Sequence, residues 1–426
     1  MSDPASNSLT PPSAWLAHVQ PRDGAPPGRP IASARGVRYV RRALLAALTL
    51  YALGFAVRTY VRKYAVFLPD YARWTLGGTA SSSWFRAERP THVFVLIADH
   101  FEPGWNSAWV DEWASRYARL ASRHHDSAGR PPQHTWFYPG EQATDAILSS
   151  LQRMTLSGLG EVELHYHHGY DTTESAREKY RAAIDAFQQF GFLKTVTGET
   201  KFAFVHGNSG LDNSNGPEMC GVDDEIRLLR ELGCFADFTF PSLFEDSQPG
   251  IVNSIYAARD DDGPKSYQRR LPLTTLATGE SDLMIFEGPL IFSPSLNIRH
   301  LFLDLDDGDI HAMEHATPGR ADRWVRANVH VPERPDWVFV KLFAHGASSA
   351  ADAEACLGAD FESTLSHLEQ VYNDGSRYVL HYITAREAYN LARAAAEGAG
   401  GEPAAYLDAY IARYQADAPT HLATAD

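Results

Sequence analysis

The sequence predicts an α/β protein built on a largely parallel β-sheet, closed as a barrel or open and doubly wound. From about Arg89 onward, apolar runs of five to eight residues alternate with helical patterns, the order expected of strand–helix units. The hydrophobicity of most runs is continuous rather than alternating, as in strands covered on both faces. Composition agrees: 426 residues, 44% apolar and 21% charged, describe a globular chain and exclude a fibre, wholesale disorder or a small disulfide scaffold.

Residues 1–36 hold seven of the 25 prolines among Ser, Ala and Gly and read as a disordered tail. An apolar and basic helix is expected over 37–68. Its centre, Ala43–Val57, has no charge and is flanked by Arg35, Arg38, Arg41 and Arg42 on one side and Arg58, Arg62 and Lys63 on the other. Fifteen helical residues span about 22 Å, less than the roughly 30 Å of a bilayer core. Membrane association through 43–57 is nevertheless the expectation. Near-balanced flanking charge leaves the sidedness open, and without this segment the chain reads as cytoplasmic.

The α/β region runs from 89 to 395. Its strands are expected at Thr91–Ala98, His134–Tyr138, Val162–Tyr166, Lys201–Val205, Phe235–Phe240, Asp282–Phe286, Trp337–Ala344 and Tyr378–Ile383. Helices fit Thr144–Met154, Glu174–Phe190, Asp223–Leu232, Ala321–Asn328 and Phe361–Tyr372, with Asp171 and Glu174 as a capping pair. Thr384-x-x-Glu387 is a capping box for a further helix. Residues 245–278 read as a loop-rich insertion, and 396–426 as a C-terminal helix and a fraying tail.

A net charge of −15 argues against a general nucleic-acid binder, and three cysteines are too few for a disulfide framework. Histidine is the unusual residue: nine of 18 fall between His92 and His206. They gather where ligand chemistry gathers in parallel α/β folds, beyond the carboxyl ends of strands. Asp99 and His100 follow the first strand, His165-Tyr166-His167-His168 closes the third, and His206-Gly207-Asn208 the fourth. Asp237 ends the fifth, and His345 follows WVFVKLFA. Residues two apart on a strand share a face, about 6.6 Å apart, so His165 and His167 can converge on one metal ion. His206, Asn208, Asp237 and Tyr166 are assigned to substrate contact by their places on the same rim.

Two other motifs lack their context. His311-x-x-Glu314-His315 needs a helix that Gly308 and Pro318 curtail. Asp304-x-Asp306-Asp307-Gly308 imitates a calcium loop, but its Gly comes one place early and its twelfth position is His315.

The stretches VLIADHFEPG, EVELHYHHGYD, FVHGNSGLDNS, GCFADFTFPS, FVKLFAHGA and HYITAREAYN resemble the polysaccharide deacetylase (NodB-type) superfamily, in particular a bacterial branch of it. The resemblance covers about Arg89 to Ala395. It implies an irregular (β/α)7-type barrel and metal-dependent removal of N-acetyl or O-acetyl groups from an amino-sugar glycan, with a divalent metal, zinc, as cofactor. It also implies Asp99 as catalytic base and His100, His165 and His167 around the metal, with His345 as general acid. The usual H-[ST]-x-x-H spacing is replaced by H-x-H, and the third motif's Arg and Pro by His206-Gly207-Asn208, so Asp99 as a ligand stays open. The alternatives are a glycan-binding barrel without catalysis and a metal-dependent glycosidase or amidase.

Overall fold

The computed structural model describes residues 34–61, 63–77, 89–294 and 303–417. Most of the expected proline-rich tail and the last nine residues lie outside them. The chain opens with α1 (Ala34–Val61) and α2 (Leu68–Leu76). There follow β1 (Thr91–His100), α3 (Ser107–Ala121), β2 (His134–Pro139), α4 (Asp145–Leu156), β3 (Gly160–Tyr166), α5 (Thr173–Gln188), β4 (Phe202–His206), α6 (Glu225–Leu232) and β5 (Cys234–Asp237). The middle contains β6 (Ser254–Ala258), α7 (Thr275–Thr278), β7 (Leu283–Glu287), β8 (Ile291–Pro294), β9 (Leu303–Asp306) and β10 (Asp309–Ile310). The last elements are α8 (Pro318–Arg326), β11 (Val329–Val331), β12 (Arg334–Ala344), α9 (Ala350–Leu357), α10 (Ala359–Val371), β13 (Tyr378–Tyr382) and α11 (Ala385–Ala396).

The main sheet runs β10-β12-β1-β2-β3-β4-β5-β7-β6, with β11 on β12 and β13 on β1. Pairing is parallel except at β6–β7 and β11–β12. The first half of β1 pairs with β13 and its second half with β2. This splay lets β1 touch three strands. The outlying strands β6 and β11 contact one another. Both faces are covered, which explains the continuous apolar runs. On one, Val93, Val95, Ile97, Val162, Leu164, Phe202 and Phe204 pack against the helices α3–α6 and α8–α10. On the other, Phe94, Leu96, Ala98, Ala203, Val205 and Phe339 enclose a second core with the alanine-rich α11.

Local chemistry sets the boundaries. The Thr384–Glu387 capping box starts α11 as expected. The cap of α5 is instead a Thr172–Ser175 box, because Asp171 is engaged by His168, Ser175 and Lys179. β5 stops at Asp237, whose carboxylate accepts from the amide and hydroxyl of Thr239 in a local turn. The expected insertion contains a strand, β6, which pairs in register with β7. Its polar flanks masked a short apolar segment.

The C-terminal segment is fastened as far as Tyr414; most of the tail expected to fray beyond it lies outside the described residues. Tyr414 is buried and donates its hydroxyl to Glu163, and Arg386, itself paired with Glu161, donates to the Leu407 and Ile411 carbonyls.

α1 is longer than its uncharged centre, and Ala34–Gly36, assigned to the tail by sequence, belong to it. Arg and Tyr are compatible with helix, so it continues beyond the apolar run on both sides, as far as Val61; Lys63 is left-handed at φ 57°. Its segment Arg38–Val61, 24 residues, is long and apolar enough to cross a membrane, and its most apolar 18-residue stretch has a mean hydropathy of 1.6 with 0% buried. At 1.5 Å per residue it measures about 36 Å.

Candidate metal centre

Strand residues point alternately to the two faces, and that alternation decides which strand-end polar groups meet. In β1 the residues of the helix-covered face are odd-numbered and those of the α11 face even-numbered. His100, and Glu102 two places on, continue the even series. In β3, Val162, Leu164 and Tyr166 face the helices, so His165 faces the other way and His167 follows it.

The result is one cluster of imidazoles around a carboxylate. Glu102 Oε1 lies 3.0 Å from His165 Nε2, 3.6 Å from His167 Nε2 and 3.9 Å from His345 Nε2. The rings of His100 and His345 are 4.7 Å apart between centroids, and those of His165 and His167 4.6 Å. Glu102 belongs to two overlapping groups that could hold a metal ion, one with His165 and His167 and one with His100 and His345.

The hydrogen bonds behind these rings test that fit. His165 Nδ1 lies 3.1 Å from the Val205 carbonyl, which only accepts, so Nδ1 carries the proton and Nε2 presents a lone pair. His167 Nδ1 lies 2.6 Å from Glu141 Oε1, which fixes the same tautomer. Two imidazole lone pairs therefore converge on a carboxylate oxygen, an arrangement that a cation between them completes. A carboxylate or carbonyl behind each ring is the usual orienting partner of a metal-binding histidine. Gly207 packs on His167 so closely that a Cβ there would lie 2.3 Å from the ring.

Electrostatics agree. Burial, then the neighbouring His345 and His165, hold His100 well below the ordinary imidazole value, and buried Lys341 adds to this. Burial likewise lowers His165. Burial would raise Glu102, but the adjoining His165 and the other surrounding imidazoles bring it below the ordinary carboxylate value. Burial would lower His167, yet its bond to Glu141 and the charges of Glu141 and Glu102 leave it raised.

His100 and His345 open into a cavity of about 310 Å³, whose other wall includes Asp309, His311 and Glu314. The His345 side chain is 42% exposed at its mouth. His311 and Glu314 pair through their backbones in a tight turn, not a helix. Asp306 is bound by Arg320, Arg323 and the Trp324 indole, which rules out the calcium-loop pattern.

Of the residues singled out by sequence, His100, His165, His167 and His345 come together. Asp99 does not join them. Being odd-numbered, it faces the helices, fully buried, where its carboxylate accepts from His134 Nε2 at 2.8 Å and the Gly346 amide at 2.7 Å. His206 also falls behind the sheet, fully buried, and Tyr166 packs edge-on to Tyr180. Asn208 braces its loop by donating to the His168 and Met219 carbonyls, and Asp237 holds Thr239. None of Asp99, His206, Tyr166, Asn208 or Asp237 lines the cavity. Sequence reasoning passed over Glu102 and Glu141. The two-residue spacing from His100 to Glu102 was the available signal for the first; nothing local marked the second.

The chain matches no family model and no curated protein.

Two substitutions separate positioning from ligation. Asp99→Ala leaves His134 and the Gly346 amide unpaired, so the chain should lose about 3 kcal/mol in denaturant unfolding with metal stoichiometry unchanged. Glu141→Gln should leave the fold intact and weaken metal binding roughly 10–100-fold, read by competition with a chelating dye. Because His167 is raised, protons compete for it early on acidification. Metal affinity should therefore fall as pH drops through the neutral range, and in Glu141→Gln that loss should move to lower pH.

Proposed function

We propose that this chain is a metal-dependent hydrolase of the polysaccharide deacetylase type, removing N-acetyl or O-acetyl groups from an amino-sugar glycan. The observation that carries the reading is the convergence of His165 and His167 on Glu102, each ring turned by a fixed hydrogen bond to offer Nε2. Contact between β6, which ends the strand order, and β11, which pairs with β12 near its other end, supports the (β/α) barrel that this family would require.

In this reading Glu102, His165 and His167 hold the ion, zinc, with His100 beside them. When bound, it supplies Lewis acidity to the acyl carbonyl and makes water a nucleophile near neutral pH. The Val205 carbonyl and Glu141 keep the two rings in place. His345, at the open side, is placed to hand a proton to the departing amine. Proton acceptance falls to a cavity-lining carboxylate rather than to Asp99. Asp309 and Glu314 are so placed, and burial raises both.

The engagement of Asp99 favours one rival, a glycan-binding protein without turnover. Acetate release from N-acetylated oligosaccharides decides between them. The chain should release acetate, lose that activity with chelator or His165→Ala, and lose kcat about 10²–10⁴-fold in His345→Gln with KM little changed. Metal-loaded protein that binds oligosaccharide and releases no acetate would establish the binder.

α1 is assigned here as a membrane anchor, supported by its length and exposed apolar surface. Leu48→Lys with Leu53→Lys places two charges in its centre, each costing about 2.5–3.5 kcal/mol. The full chain should sediment with membranes and the double variant should not; equal fractionation would refute the anchor.

A further inference from the structure

On the opposite side of the sheet from the rim lies a second group of chemically active side chains, more deeply buried than the first. His168 follows β3, His206 ends β4, Cys220 sits in the loop between β4 and α6, and Glu225 is the first residue of α6. His206, Cys220 and Glu225 are 0% exposed and His168 6%. We propose that these four residues hold a second metal ion, structural in role and distinct from the one at the rim.

The donor atoms lie within 4.8 Å of one another. His168 Nε2 is 2.8 Å from Glu225 Oε1 and 3.0 Å from His206 Nε2. His206 Nε2 is 3.7 Å from Glu225 Oε1, and Cys220 Sγ is 3.5 Å from Glu225 Oε2. A tetrahedral zinc site with bonds of 2.0–2.3 Å has edges of about 3.3–3.7 Å, so small movements would close the set. Two His, one Cys and one carboxylate are donors that zinc accepts, and four protein ligands with no open position mark a structural site.

The surrounding hydrogen bonds fit the same ion. His168 Nδ1 donates to Asp171 at 3.1 Å, leaving Nε2 to ligate, and Lys179 anchors that Asp171. The Val222 amide donates to Cys220 Sγ at 3.5 Å, as amides do to a metal-bound thiolate, and the Asp212 amide donates to Glu225 Oε2 at 2.7 Å.

Protons alone do not satisfy the cluster. His206 Nδ1 accepts from the amides of Asn208 and Gly210, so its proton sits on Nε2 and points at His168 Nε2. The Tyr180 hydroxyl is directed to the same place and donates to Glu225 Oε1. If His168 Nε2 is protonated, it opposes the His206 proton. If it is not, its lone pair opposes the Glu225 carboxylate at 2.8 Å. A cation removes the conflict by displacing two protons to solvent, that of His206 Nε2 and that of the Cys220 thiol; His206 then ligates as an imidazolate, and the two amides hold its charge on Nδ1.

The loop that such an ion would fasten needs fastening. Between β4 and α6 the chain has left-handed backbone at Ser209, Asp212 and Asn213, with φ of 48°, 56° and 52°. The same loop carries Gly207 against His167, whose neighbour in the chain is His168. The buried ion would thereby hold in place the backbone of a rim histidine.

The test uses the full chain loaded with zinc or cobalt. Elemental analysis should find a second equivalent of metal that persists in the His165→Ala, His167→Ala double variant and disappears in Cys220→Ser. The cobalt protein should show a thiolate-to-cobalt charge-transfer band, kept in Cys234→Ser and lost in Cys220→Ser, because the rim has no thiol. X-ray absorption at the zinc edge of the unsubstituted chain reads the sulfur directly, at about 2.3 Å, so the answer does not depend on a variant folding. Absence of both the band and the sulfur neighbour from metal-loaded protein would overturn the proposal while leaving the rim reading intact.

Discussion

A strand has a side-chain period of two, and in a sheet buried on both faces this period leaves each polar residue no choice of neighbours. Asp99 and His100 are adjacent in sequence, yet one is packed beneath the helices with His134 and the other faces Glu102 and His345. The same sorting parts His167 from His168. Each strand end that leaves the sheet therefore supplies two environments, and the histidine-rich segments populate both. Had either face been open to water, its polar residues would need no partners; here each is desolvated and must be matched.

That matching explains the carboxylates around the rim. A buried imidazole is neutral by default, because burial disfavours its charged form, as at His100 and His165. Neutrality leaves one lone pair, and the group behind the ring decides which nitrogen offers it. Val205 does this for His165 with a backbone carbonyl, and Glu141 for His167 with a carboxylate. The choice has a consequence: a carbonyl fixes a tautomer without adding charge, whereas Glu141 also raises the ring's proton affinity. Below the rim, Lys341 is buried on the α11 face, donating to the carbonyls of Phe238, Phe240 and Phe286. Burial lowers it to about 8 against the opposing charges of Glu287 and Asp237.

Much of this arrangement was legible in the sequence, and what was not has physical causes. The parallel strands announced themselves because burial on both faces favours runs of consecutive apolar residues, as in THVFVLIA and, but for Lys341, WVFVKLFA. The pairing of His165 with His167 follows from strand spacing alone. Asp99 was placed at the rim because it follows the first strand, while the face is set by counting from the apolar residues before it. Val93, Val95 and Ile97 already fix Asp99 on the helix side. His206 errs the same way, its parity set by Phe202 and Phe204. Glu141 was out of reach, since its contact with His167 joins the ends of two strands and depends on the β2–β3 register, which places Pro139 opposite His165.

The adjacency of His167 and His168 also ties the two clusters mechanically. Their shared peptide can shift only if both side chains shift, one against Glu141 and Gly207, the other against Asp171 and Glu225. Glycine at 207 reflects the tightness of this junction: the returning loop lies against the His167 ring with no room for a Cβ. Removing one residue from the end of β3 would exchange the two faces, sending each imidazole into the partners of the other. The rim pairs two imidazoles with one carboxylate beside an opening, and the buried cluster adds a thiol and is closed off from solvent, so the exchanged arrangement would satisfy neither. The H-x-H-H order is thus a register constraint on two sites at once, and the tolerance of this strand end to insertion or deletion is correspondingly small.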